Sequence, residues 1–207
     1  MKSSHYPGAT TRMIRTTLAL SAVFLLASGP AFAHTGAGPV ASFGAGLFHP
    51  IAGADHVLAM VAVGVLAVQQ GGRATWFLPF TFVAMMFAGG AVAMSGMALP
   101  LVEQGILGSV VILGAAIAAG QKIAWPIAAG FVGLFAVFHG HAHGAEIAPG
   151  IGGLGYAIGF ATATALLHAA GALLGAGTGA VSTRLAPALI RSGGAAIASG
   201  GMLLIAF

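Results

Sequence analysis

The chain consists of long apolar runs separated by short connections that are polar or rich in glycine. Each run is long enough to cross about 30 Å of hydrocarbon as a helix. Six such runs follow the N-terminal region, and we predict one membrane-spanning helix from each: 41–68, 75–95, 99–119, 124–144, 150–176 and 185–206. No connection is long enough to fold by itself. The predicted fold class is therefore an all-α integral membrane protein with six transmembrane helices.

Composition supports this class. Hydrophobic residues make up 58% of the 207 positions and charged residues 5%, whereas soluble domains carry about 25% charged residues. Cysteine is absent, which excludes disulfides, thiolate zinc sites and iron–sulfur clusters. No basic patch with interleaved aromatic residues occurs, so no nucleic-acid partner is expected. The expected surroundings are the lipid bilayer.

The N-terminal region has the pattern of a secretory signal. Cations precede a short apolar run, and an A-x-A cleavage pattern ends at Ala33. We predict a cleavable signal peptide over 1–33 and a six-helix transmembrane domain over 34–207, with His34 as the first mature residue. The alternative is an uncleaved first membrane helix.

The predicted spans and the positions of the cations indicate one orientation of the chain in the membrane. A bacterial export signal places the mature N-terminus in the periplasm. The first, third and fifth connections are then cytoplasmic, and they carry Arg73, Lys122 and Arg184. This distribution follows the positive-inside rule. We therefore expect a multi-pass protein of the bacterial inner membrane, with both mature termini periplasmic.

Two clusters of histidine and carboxylate interrupt the apolar sequence. Two of the three acidic residues in the chain belong to them. An ionisable side chain within a bilayer costs about 3 kcal/mol or more, so it usually marks function. Histidine and carboxylate without cysteine are ligands for borderline divalent transition metals. The clusters provide six primary candidate metal ligands: His49, Asp55, His56, His139, His143 and Glu146.

The first cluster combines ligands with helix-breaking residues. His49 and His56 are seven positions apart, almost two turns, and would share one face of a continuous helix. Pro50 and Gly53 lie between them and favour a broken helix with free carbonyls, as at transporter ion sites. In the alternative interpretation, Asp55 and His56 only pair with neighbouring helices.

The second cluster follows helical spacing. His139, His143 and Glu146 stand at i, i+4 and i+7 and form one stripe if the helix continues. Histidines at i and i+4 can chelate one ion, whereas His141 would point away. Glu146 could instead be a solvated carboxylate at a helix end. Three further histidines are secondary candidates for metal binding: His34, His141 and His168.

The predicted spans place these ligands at successive depths, from outside to inside. Weak sites along a path are what ion permeation requires. Two other functions stay open. An intramembrane zinc hydrolase would need one closed three-ligand site with a water position. A haem-binding electron-transfer subunit would need paired axial histidines.

Glycine spacing predicts close helix contacts. The small-xxx-small patterns are Gly140/Gly144, Gly155/Gly159 and Gly171/Gly175/Gly179. We interpret them as tight packing within the molecule rather than as a dimer interface.

Two motifs resemble those of the HupE/UreJ family of nickel permeases, which are associated with hydrogenase and urease maturation. Residues His49–Met60 read H-P-I-A-G-A-D-H-V-L-A-M and match the family pattern H-P-x-x-G-x-D-H-x-x-x-M. Residues Phe138–Glu146 read F-H-G-H-A-H-G-A-E and match F-H-G-x-A-H-G-x-E. The larger nickel/cobalt transporter class has H-x4-D-H, whereas this chain has H-x5-D-H, so that likeness is only an analogy.

The resemblance implies a permease rather than an enzyme, with Ni²⁺ or Co²⁺ as transported substrate and no prosthetic group. It implies import across the inner membrane and an indirect link to hydrogenase or urease maturation proteins. It also implies that His49, Asp55 and His56 are central, with the second motif as the other functional group.

Overall fold

The computed structural model describes residues 42–147 and 153–206. These two stretches contain seven helices and no strand: α1 (Phe43–Ala52), α2 (Ala54–Gln70), α3 (Ala74–Met94), α4 (Val102–Ala119), α5 (Trp125–Glu146), α6 (Leu154–Val181) and α7 (Ala186–Ala206). The predicted signal peptide, His34 and the C-terminal Phe207 lie outside the described residues. The all-helical class is confirmed, and α3 to α7 match the last five predicted spans to within a few residues at most ends.

The first predicted span is not one continuous helix. It breaks at Gly53, where α1 and α2 meet at an angle of 86°. The prediction that His49 and His56 share a face of one helix was therefore wrong, whereas the broken-helix interpretation is confirmed. Gly53 is extended, with φ −99° and ψ 121°, a conformation that any residue can adopt. The new helix begins with Asp55 in its first turn, where a negative charge complements the helix dipole.

Helix length and composition fit a multi-pass membrane protein. Five described helices are individually long and apolar enough to cross a bilayer, or six spans if α1 and α2 count as one broken span. Large apolar side chains cover the outside of the bundle, and Trp76 and Val181 are 79% and 78% exposed. In water such a surface would be costly, whereas lipid tails solvate it.

Glycines bring helix backbones into direct contact. A Cβ atom on Gly140 or Gly144 would overlap backbone atoms of α3, one on Gly159 would overlap α1, and one on Gly171 would overlap α2. The predicted intramolecular packing is confirmed at these four positions. Gly179 differs, because no described atom lies within 4 Å of its Cβ position. The close contacts hold α3 against α5, and α6 against α1 and α2.

The basic side chains of the described residues lie at one end of the bundle, in or beside its connections: Arg73, Lys122, Arg184 and Arg191. Lys122 Nζ donates to the carbonyls of Gln69 (2.6 Å) and Gln70 (2.9 Å) at the end of α2. Arg191 Nε donates to the carbonyl of Ala118 (2.8 Å) near the end of α4. Cations are favourable at helix C-termini because the last carbonyls carry partial negative charge.

Candidate metal site

Imidazole rings from three helices meet near the break between α1 and α2. His49 lies near the end of α1, His56 in the first turns of α2, and His139 and His143 in the last turns of α5. The ring centroids of His143 lie 4.7 Å from those of both His49 and His56. The His56 and His139 centroids are 5.4 Å apart. These four residues are called the histidine cluster below.

Glu146 joins the end of the cluster nearest to solvent. Its Oε2 lies 3.6 Å from His49 Nε2 and 3.7 Å from His143 Nδ1. One ligand atom from each of these three residues lies within 4.8 Å of the ligand atoms of the other two. Nitrogen and oxygen ligands sit about 2.1 Å from a transition-metal ion, so opposed ligands are about 4.2 Å apart. Small side-chain rotations would therefore let His49, His143 and Glu146 hold one cation, in what is called the outer position.

A second pair of nitrogens lies deeper. His56 Nε2 and His143 Nε2 are 2.6 Å apart, a separation at which the two nitrogens share one proton in a hydrogen bond. A metal ion with bonds of about 2.1 Å would replace that proton only if the two rings moved apart. Asp55 Oδ1 accepts hydrogen bonds from His56 Nδ1 (2.7 Å) and from the His56 backbone N–H (2.9 Å). Because a carboxylate can only accept here, Nδ1 carries the hydrogen and Nε2 presents its lone pair. This pair is called the inner position.

His139 is oriented in a similar way, by its own helix. Its Nδ1 donates to the carbonyl of Phe135, one turn earlier, at 2.9 Å. The hydrogen on Nδ1 makes Nε2 the nitrogen that can bind a metal. His139 is completely buried, and its ring stands edge-on to that of His56. It therefore extends the series of imidazoles beyond the inner position.

His168 lies beyond the histidine cluster, behind an aromatic ring. The Phe82 ring centroid is 5.3 Å from that of His139 and 5.0 Å from that of His168. His168 is 2% exposed, and neither of its ring nitrogens has a hydrogen-bond partner among the described residues. The order of contacts is therefore outer position, inner position, His139, Phe82 and His168.

Comparisons with known proteins identify one family over most of the chain. The family model described as HupE / UreJ protein matches residues 22–204. The chain belongs to the HupE/UreJ family. It is 42% identical over 195 residues to Protein HupE of Rhizobium leguminosarum bv. viciae, an alignment that covers 93% of this chain and 97% of that protein. No solved structure matches. The family comprises accessory or transport proteins linked to hydrogenase and urease.

Both HupE/UreJ motifs therefore contribute to one place in the fold. Five of the six primary candidates lie in or next to these positions. The outer position contains His49, His143 and Glu146, the inner position contains His56 and His143, and His139 lies next to His56. Asp55 differs, because its carboxylate accepts hydrogen bonds from His56. Asp55 thus orients the His56 ring.

One secondary candidate among the described residues, His141, does not join the histidine cluster. His141 Nε2 donates to the carbonyl of Met97 at 2.9 Å, which ties α5 to the connection after α3. His141 points away from His139 and His143, as helical spacing predicts. His34 lies outside the described residues.

Sequence reasoning missed two aromatic residues of α6 that pack against the cluster. The Phe160 ring centroid lies 4.2 Å from that of His143, and the Tyr156 centroid lies 5.9 Å from that of His49. A cavity of about 240 Å³ between α3, α5 and α6 is lined by both aromatics and by His143. The signal that could have found them is Tyr156 itself, one of two tyrosines in the chain, one turn from Phe160 in an apolar helix.

Proposed function

We propose that this chain is a six-span permease that imports Ni²⁺, with Co²⁺ as the other cargo, across the bacterial inner membrane. The ion would supply maturation of a hydrogenase or a urease. The observation that carries the proposal is the convergence of four imidazoles and Glu146 from three helices inside an apolar bundle. Membership of the HupE/UreJ family supports it.

The ligand types favour a borderline transition metal. Imidazole suits nickel, cobalt, zinc and copper, whereas Mg²⁺ and Ca²⁺ require sites rich in oxygen. The outer position offers two imidazoles and one carboxylate, and the inner position offers imidazole nitrogen alone. An ion that moves inward therefore exchanges oxygen for nitrogen ligands, which selects against hard cations.

His143 belongs to both positions. Its Nδ1 faces Glu146, and its Nε2 faces His56. We infer that an ion captured at the outer position passes around this ring to the inner position without losing contact with His143. The path then continues to His139 and, past Phe82, to His168. Several sites of moderate affinity let an ion enter and still leave.

The membrane potential is sufficient to drive entry. Moving one charge inward is favoured by about 2.3 kcal/mol per 100 mV, so a divalent ion gains about twice that amount. This direction requires the outer position to face the periplasm and the basic end of the bundle to face the cytoplasm. Both follow from the orientation predicted by the positive-inside rule.

The zinc hydrolase alternative requires a closed group of three ligands. His49, His143 and Glu146 are such a group in number. However, the imidazole contacts continue from His143 through His56 to His139. A series of ligands that extends through the bundle supports conduction better than hydrolysis.

The proposal is tested by uptake of radioactive nickel into proteoliposomes that contain the purified protein. We expect time-dependent uptake that an inside-negative voltage accelerates and that excess Co²⁺, but not Mg²⁺, suppresses. A proton gradient imposed separately distinguishes coupled from potential-driven entry. His143→Ala is the matched loss-of-function variant, and Glu103→Gln, an exposed carboxylate at the start of α4, is the control. Uptake no faster than in empty liposomes would overturn the proposal.

A further inference from the structure

We propose that Tyr156 is a positioning residue of the outer position, where its hydroxyl binds water that the captured ion retains. The inference rests on the proposed function and deepens it. It assigns the outer position to a partly hydrated divalent cation rather than to a bare one.

The Tyr156 hydroxyl is buried and has no hydrogen-bond partner among residues 42–147 and 153–206. The residue is 1% exposed, and its oxygen makes no hydrogen bond to any described residue. A buried tyrosine hydroxyl usually has a hydrogen-bond partner, because burial without one is costly. A hydroxyl kept in this state inside a membrane protein indicates a ligand that supplies the missing bond.

The surroundings of the hydroxyl identify that ligand. The Tyr156 ring stands edge-on to the His49 ring, with the two ring centroids 5.9 Å apart. Tyr156 also lines the cavity of about 240 Å³ that reaches His143. Tyr156 therefore lies beside His49 and shares with His143 a space large enough for water.

The backbone under Tyr156 is fixed. A Cβ atom on Gly46 of α1 would overlap the carbonyl of Tyr156, and one on Gly159 would overlap the carbonyl of Phe43. These two glycines bring α1 and α6 into backbone contact on both sides of the tyrosine. The helix that carries Tyr156 and the helix that carries His49 are thus held as one unit, which gives the hydroxyl a defined place beside the ligands.

Coordination chemistry supplies the role. Ni²⁺ and Co²⁺ enter from water with six water ligands, and the outer position offers three protein ligands. The ion therefore keeps water in its remaining positions. Metal-bound water is a strong hydrogen-bond donor, and the Tyr156 oxygen can accept from it. The hydroxyl therefore strengthens the binding of ions that keep coordinated water. It does not strengthen the binding of ions that take few ligands and lose their water.

The test compares metal binding by wild-type protein and Tyr156→Phe in detergent, with Ni²⁺, Co²⁺ and Ag⁺ titrated separately by calorimetry. Ag⁺ prefers two ligands and keeps little water. The control is Thr162→Val, which removes a hydroxyl from the same helix. The Thr162 hydroxyl donates to the Ile158 carbonyl, and the residue lines a groove away from the histidine cluster. Melting temperatures and elution volumes establish that both variants fold.

We expect Tyr156→Phe to weaken Ni²⁺ and Co²⁺ binding about tenfold, the effect of one lost hydrogen bond, and to leave Ag⁺ binding unchanged. Thr162→Val should match the wild type for all three ions. Unchanged Ni²⁺ affinity in Tyr156→Phe would overturn this inference alone. An equal loss for Ag⁺ would also overturn it, because that result indicates a distorted site. A wild-type protein that binds none of the ions would overturn the proposed function as well.

Discussion

At the residue scale, the ligand nitrogens of the site are set by acceptors on the far sides of the rings. Asp55 fixes His56 and the Phe135 carbonyl fixes His139, so in both rings Nε2 is the nitrogen that can bind a metal. The histidines and carboxylates themselves could be predicted from the sequence, because ionisable groups in apolar helices are conspicuous. Their orientations could not, since each depends on a partner that only the folded backbone brings into place.

Asp55→Asn should lower nickel uptake about 10-fold to 100-fold, the usual effect of removing a carboxylate behind a metal-binding histidine. The amide lacks the negative charge that strengthens the bond from His56 Nδ1. Uptake into proteoliposomes, at equal amounts of inserted protein, measures this. Glu103→Gln serves as the control for loss of a carboxylate outside the cluster. Equal uptake by Asp55→Asn and wild type would remove Asp55 from the mechanism.

His141→Ala should retain nickel uptake within about twofold, whereas His139→Ala and His143→Ala should lose most of it. His141 makes a hydrogen bond to the Met97 carbonyl, and loss of such a bond costs about 1 kcal/mol of stability. We therefore expect a lower melting temperature with intact transport. Similar uptake losses in all three variants would contradict the assignment of separate roles.

At the element scale, two features shape the site: the break at Gly53 and the glycine contacts between helices. The break lets His49 and His56 approach His143 from two directions, which a straight helix would not allow. Pro50 and Gly53 indicated a break from the sequence alone. Its angle of 86° could not be predicted, because it depends on how α1 packs against α6.

Gly140→Ala should destabilise the protein by about 1–3 kcal/mol, because the added methyl group overlaps the carbonyl of Met86 and pushes α5 away from α3. Gly130→Ala is the matched control on the same helix, since no described atom lies within 4 Å of its Cβ position. There alanine should be neutral or stabilising by up to about 1 kcal/mol. Melting temperatures in detergent compare the two, and equal values would contradict the close-contact explanation.

At the scale of the whole molecule, apolar runs and short connections were enough to predict the helical class and most helix ends. Hydropathy determines these features because a chain in lipid must satisfy its backbone hydrogen bonds internally. The arrangement of the helices around the histidine cluster was beyond the sequence. Sequence periodicity shows which face of a helix is apolar. In these helices nearly every face is apolar, so periodicity does not show which faces meet.

The orientation in the membrane can be tested by single cysteines, since the chain has none of its own. Met97→Cys, in the connection after α3, should react with a membrane-impermeant thiol reagent added to intact spheroplasts. Gln121→Cys, beside Lys122 at the basic end, should react only after the membrane is permeabilised. The positive-inside rule is the physical reason. The reverse pattern would place the outer position on the cytoplasmic side and contradict import through it.

The claim on which the account depends is that the imidazoles of the histidine cluster bind the transported ion. X-ray absorption at the nickel edge measures this directly on protein loaded with one equivalent of Ni²⁺. We predict at least two imidazole ligands in the wild-type protein and fewer in His143→Ala. A shell of oxygen ligands alone, the same in both proteins, would contradict the account.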